Sequence, residues 1–188
     1  MTIASWAATR PRGRPSPTAL LRTYGAGLIA YLPLLVLLLS PTLRSRVTSE
    51  TAMAISVTVL LVLVVAAVVL APEVSAFAAP AGERWRLGRA RAATSSLLRG
   101  ARRTHLWLLA EFAVLYGAAQ GAGAVIAWMM PHVWANPAHA LDPAAPAWEF
   151  HYPHYAAQAV TLYLVICFAA AWYACRVRHA VLGERHTP

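Results

Sequence analysis

Glu111 is a lone carboxylate inside an apolar stretch, Thr104 to Met130, that is long enough to cross a bilayer, which takes roughly 20 residues. A charge in hydrocarbon is costly, so it needs a partner, a proton or a route to water. Glu111 falls about 10 Å in from the nearer end of the stretch at about 1.5 Å per residue. Tyr31 and Tyr173 belong to the same half of two other apolar runs and can supply phenol hydroxyls. Three roles fit: a proton or cation relay or substrate anchor, a hydrogen-bonded clip between helices, or a side chain snorkelling toward Arg102 or Arg103.

The same stretch holds Gln120, and Gln158 lies one turn into the last apolar run. An interhelical amide pair is the expectation; a polar pocket with Tyr116 and Tyr163 is the alternative. Gly117 and Gly121, extended by Gly123, form a small-xxx-small pattern, the mark of close helix packing. A partner helix within the chain is expected for them.

A Pro-rich segment, 131–154, carries His132, His139, His151 and His154 with Asp142 and Glu149. Imidazole and carboxylate suit zinc or copper. Pro153 separates the His151/His154 pair, no Cys contributes, and no standard zinc spacing appears. The expectation is no cofactor, with zinc or copper on these histidines as the alternative, and pH sensing as a further one. Haem is rejected: His105 and His132 are separated by about 40 Å of helix, more than the roughly 30 Å hydrocarbon core. Cys167 and Cys175 lie about 12 Å apart on one helix, too far for a disulfide, and read as small core residues, with a redox pair acting on a partner protein as the alternative. No nucleophile elbow, zinc-protease helix, Walker loop or histidine box occurs.

The elements that must position these groups follow from composition. The chain of 188 residues is 59% hydrophobic and 12% charged, about half the usual charged fraction. Four apolar runs account for the deficit: 23–43, 51–71, 104–130 and 155–175. Between them lie a basic leader (1–22), a short loop (44–50), an Arg-rich loop (72–103) and the His-bearing loop (131–154), with a tail at 176–188. Pro11, Pro15 and Pro17 argue against a helix in the leader, and no cleavage pattern follows the first run, which reads as retained. Pro33 should kink that run. The run 51–71 carries no charge and should be the most lipid-exposed, while 104–130 should be the inner, packed helix. A weakly amphipathic interfacial helix is expected within 83–103.

All 16 basic residues are Arg. Four precede the first run, then two, seven, none and three occupy the successive flanks. Basic flanks stay cytoplasmic, so both termini face inward and the histidines outward. Trp107 and Trp172 fall near the inner boundary, and Trp128, Trp134 and Trp148 near the outer. The fold class is an all-α membrane protein, a four-helix transmembrane bundle of a bacterial inner (plasma) membrane. The net charge of +9 flanks apolar runs and does not signal nucleic acid. Arg84, Arg86, Arg89, Arg91, Arg99, Arg102 and Arg103 point to anionic lipid headgroups or an acidic partner.

Ample packing features without catalytic motifs lead to a non-enzymatic accessory or structural subunit, packed against a larger membrane complex or its own copies. The alternatives are a small proton-coupled transporter working through Glu111 and a metal-dependent membrane enzyme or sensor built on the outer histidines.

Overall fold

The computed structural model describes residues 15–43 and 49–183. The leader arginines Arg10, Arg12 and Arg14, most of the 44–50 loop, and Arg185 lie outside the described residues. The described chain is mostly helical, with six α-helices: α1 (Pro17–Ala30), α2 (Leu32–Leu39), α3 (Glu50–Ala78), α4 (Ala90–Gly100), α5 (Arg102–Met129) and α6 (Tyr152–Gly183). Helices α3, α5 and α6 are long and apolar enough to cross a membrane, and α1 with α2 makes a fourth such element if the bent pair is one span.

Helix α1 begins at Pro17, earlier than the apolar run. Proline is tolerated at that first position because the amide it lacks would have no partner there. The pair α1/α2 bends by 56° at Tyr31, two residues before Pro33, whose ring cannot follow a helical carbonyl four residues back. Tyrosines of α6 cover the carbonyls the break and the α2 terminus expose. The Tyr163 hydroxyl donates to Leu28 O. The Tyr155 hydroxyl lies 2.6 Å from both Leu38 O and Ser40 O, and the Tyr152 hydroxyl donates to Leu39 O at 3.2 Å.

The expectation that 104–130 is the inner helix is corrected. Of the most apolar window of each helix, 61% is buried in α6 but 17% in α5 and 11% in α3. The reason lies in the side chains of α6. Cys167, Ala169, Ala170, Ala171, Ala174 and Cys175 are buried, and small residues on several faces let α1, α3 and α5 all close on one axis. The α5 sequence offers small residues too, but largely on a face turned away from the bundle.

Two boundaries also move. Helix α3 continues through Pro72 to Ala78, and α6 runs on to Gly183, so Arg176, Arg178 and His179 are helical residues. Ala19, Ala79 and Cys175 pack together, bringing the start of α1 and the ends of α3 and α6 to one end of the molecule. At the other end, Val133–Ala135 pairs antiparallel with Trp148–Phe150, a short hairpin inside what reads as a proline-rich loop.

The Arg-rich segment is anchored rather than loose. Trp85 is fully buried, and its indole donates to Ser75 Oγ at 3.4 Å. Thr23 Oγ1 donates to the same oxygen at 3.2 Å, and Cys175 Sγ lies 3.6 Å from Thr23 Oγ1. Glu73 on α3 caps α4, accepting from Gly88 N at 2.7 Å and Arg91 N at 2.8 Å. Gly88 takes φ of 80° to turn its amide there, a conformation that favours glycine. Glu73→Ala removes the acceptor of both amides. A loss of about 1 kcal/mol is expected, as for other lost caps. Limited trypsin digestion should then cut faster within 84–91 while the long helices stay protected.

Candidate functional site

Glu111 lies on the second half-turn beyond Leu108, a fully buried contact of α5 with the core. Its carboxylate meets α6. Arg176 Nε donates to Oε2 at 3.0 Å and Arg176 Nη2 donates to Oε1 at 3.0 Å. Two parallel N–H···O bonds of this kind are the strong, geometrically specific form of the ion pair. Trp172 Nε1 adds a longer donor to Oε2 at 3.4 Å. Trp172 and Arg176 are four residues apart on a helix and therefore share one face. The Arg176 side chain is 7% exposed and that of Glu111 25%, so the guanidinium is the more deeply held partner.

The tyrosines expected beside Glu111 act elsewhere. The Tyr31 hydroxyl donates to Ala67 O at 3.2 Å, tying the α1/α2 break to α3. Tyr173 points to the neighbouring face of α6, edge-on to Phe112 and His105 at 6.1 and 6.3 Å. The partner that sequence reasoning missed is Arg176. It follows the last apolar run by one residue, and its signal is the helical continuation of that run through Val177, Ala180 and Val181.

Gln120 and Gln158 contribute to one cavity of about 200 Å³, with Tyr116, Tyr155, Leu38 and Val57 also on its wall. Gln158 is buried and Gln120 exposed. Tyr163, the other candidate for this pocket, is spent on Leu28. The three glycines separate. A Cβ on Gly123 would lie 2.7 Å from Leu162 Cδ2, whereas one on Gly117 or Gly121 would meet nothing within 4 Å. Gly123 therefore packs inside the chain, and Gly117 and Gly121 face outward.

The arginines divide as well. Arg86 and Arg89 pair with Glu83 at 2.9 and 3.1 Å, in exposed geometry that contributes little to stability. Arg99 Nε donates to Ser95 O at 3.4 Å. Arg84, Arg91, Arg102 and Arg103 are exposed, the last two on the first turn of α5.

The histidines do not converge on one point. The rings of His151 and His154 have centroids 4.0 Å apart, but His154 Nδ1 is 2.7 Å from Pro131 O, and His151 stacks on Trp134. His139 Nδ1 lies 2.8 Å from Ala145 O, and His132 is buried against Phe150 and Tyr155. Among the described residues no group of three or more His, Cys, Asp or Glu is placed to hold a metal ion. His105 enters the sequence reading only as a rejected haem ligand. It is buried, and its Nδ1 has no hydrogen-bond partner among the described residues, an arrangement that costs about 1–3 kcal/mol.

No protein-family model, curated protein or solved structure matches the chain. Its class therefore rests on its helices, three of which are long and apolar enough to cross a membrane.

Proposed function

We propose that the chain is a non-enzymatic accessory or structural subunit of a plasma-membrane complex, crossing the bilayer four times with both termini inside. The bent pair α1/α2 counts as one crossing. The arginines at the α4 end face the cytoplasm, against anionic lipid or an acidic partner, and the His-bearing hairpin faces out.

The observation that carries the subunit reading is the division of labour on α5. Its carboxylate turns inward to a bidentate guanidinium, while Gly117 and Gly121 turn outward with nothing against them. A paired carboxylate supports a clip between helices over a proton relay. Open glycines on an apolar helix suit a helix of another subunit or another copy, because backbones approach closely where side chains are absent.

Gly121→Leu tests this reading. The first carbon of the added side chain meets no atom of the chain within 4 Å, so the helical fold of the chain should be retained, read as an unchanged circular dichroism spectrum. Size-exclusion chromatography with light scattering should read an assembly for the natural chain and a monomer for the variant. A natural chain that runs as a monodisperse monomer without copurifying protein would overturn the proposal.

A further inference from the structure

Helices α3 and α5 both pack on α6, and the cavity of about 200 Å³ lies in the gap between them. Val57 and Leu60 of α3 with Leu162 and Ile166 of α6 make its wall largely apolar, and Tyr116, Gln120 and Gln158 bring polar side chains to it. Among the described residues no charged group lines it.

Tyr116 and Gln120 are four residues apart on α5 and share a face. Neither side chain makes a hydrogen bond among the described residues. The Tyr116 ring is held by stacking on Phe112, with centroids 6.1 Å apart, and its hydroxyl is open rather than sealed in the core. Gln120 is exposed. The other polar groups of the wall are engaged: the Tyr155 hydroxyl lies between Leu38 O and Ser40 O, and Gln158 has a partner of its own. Gln120 lies about 13 Å short of the α5 end at Met129, at 1.5 Å per residue, and Tyr116 is one turn deeper. Both fall inside a hydrocarbon core roughly 30 Å thick, where a polar group without a partner is costly.

An acceptor that reaches this depth must be lipid-soluble and neutral. The glycerol esters of phospholipids stay at the edges of the core. An amide N–H and a phenol O–H call for carbonyl oxygens. The volume equals that of about seven waters at roughly 30 Å³ each, room for one substituted ring and not for a whole lipid.

We infer that this cavity binds the head of a membrane quinone, a neutral ring that carries carbonyl groups on a hydrocarbon tail. The Gln120 amide and the Tyr116 hydroxyl donate to carbonyl oxygen, the ring lies against Leu162 and Ile166, and the tail leaves between α3 and α5 into lipid. The inference rests on α3, α5 and α6 crossing the bilayer, and on neither their orientation nor assembly with other subunits. Binding is measured in micelles, and retention of the chain in carbonate-washed membranes tests the crossing separately, so the two can fail independently.

The test is native mass spectrometry of the full chain in micelles, with decylubiquinone, decylbenzene and 1-decanol as probes. One decylubiquinone per chain is expected, with no decylbenzene adduct and no displacement by an equal concentration of 1-decanol. Tyr116→Phe and Gln120→Leu should each weaken decylubiquinone binding about fivefold, as loss of one neutral hydrogen bond does, and the double variant should weaken it further. Tyr24→Phe removes a phenol on α1 outside the cavity and should leave binding unchanged. Tyr116→Phe keeps the ring that stacks on Phe112 and Gln120 is exposed, so both variants should retain the circular dichroism spectrum of the natural chain. Absence of a decylubiquinone adduct, an equal adduct of decylbenzene, or equal loss in the Tyr24 and Tyr116 variants would each overturn the assignment. Displacement by 1-decanol would assign the cavity to a hydroxyl-bearing lipid and overturn the quinone reading.

Discussion

Glu111→Leu should lower the melting temperature of the detergent-solubilised protein more than Arg176→Leu does, although both break the same ion pair. Removing one partner from a buried pair costs about 3–5 kcal/mol, because the other keeps its buried charge without that counterion. The two survivors differ in what they can do next. A stranded carboxylate can take up a proton and become neutral. A guanidinium keeps its charge at any ordinary pH, and this one is the deeper of the two, 7% exposed against 25%. We expect about 3 kcal/mol for Glu111→Leu, on the order of 10 °C in Tm for a chain of this size, and about half that for Arg176→Leu. The double variant should recover much of the loss, since replacing both charges with apolar groups is often neutral. Equal effects of the two single variants, or none, would remove the clip. Loss of a cellular phenotype in Glu111→Leu at unchanged stability would instead revive the relay.

Gly123→Val is the second large effect. The first carbon of any side chain at this position lies within 3 Å of two atoms of Leu162, closer than carbon atoms pack. Overfilling a packed contact costs about 1–3 kcal/mol, and a β-branched residue adds bulk that the Leu162 side chain must turn away from to admit. Circular dichroism on heating should show an earlier transition in the variant. Leu162→Ala introduced alongside should restore most of it by vacating the space. If Gly121→Val proves as destabilising as Gly123→Val, the inward and outward faces of α5 have been misassigned.

Much of the architecture was legible because hydrophobic length is a coarse, robust signal. The runs at 51–71 and 155–175 each lie within a helix long enough to span, and 104–130 overruns such a helix by one residue. Pro33 marked the bend in the first run to within two residues. What composition did not reveal was which helix lies innermost. The run 104–130 drew attention through its carboxylate and glycines, yet burial follows α6, where alanines and cysteines occupy several faces at once. The partner of Glu111 was hidden for a related reason. A hydropathy window closes at the first charge, so Arg176 reads as the start of a tail, although the helix continues and its neighbours Ala174, Cys175 and Val177 are buried. The hairpin of Val133–Ala135 and Trp148–Phe150 left no trace in alternation, because three residues are too few to show a period of two. Its cross-strand contact, Trp134 Nε1 to Glu149 Oε2 at 2.8 Å, is visible only once the register is known. His105 had no sequence signal beyond its type, since an orphaned nitrogen is a property of its surroundings.

The tyrosine bonds to α1 and α2 join residues 113 to 135 positions apart in the chain. The exposed carbonyls near Leu28 and at Leu38 to Ser40 therefore lack these covers until the last helix has been synthesised. The α1/α2 segment leaves the ribosome well before it is finished, and a nascent chain halted before Tyr152 carries bare peptide oxygens in that helical pair. Such a fragment is a natural client for whatever machinery holds unfinished membrane chains.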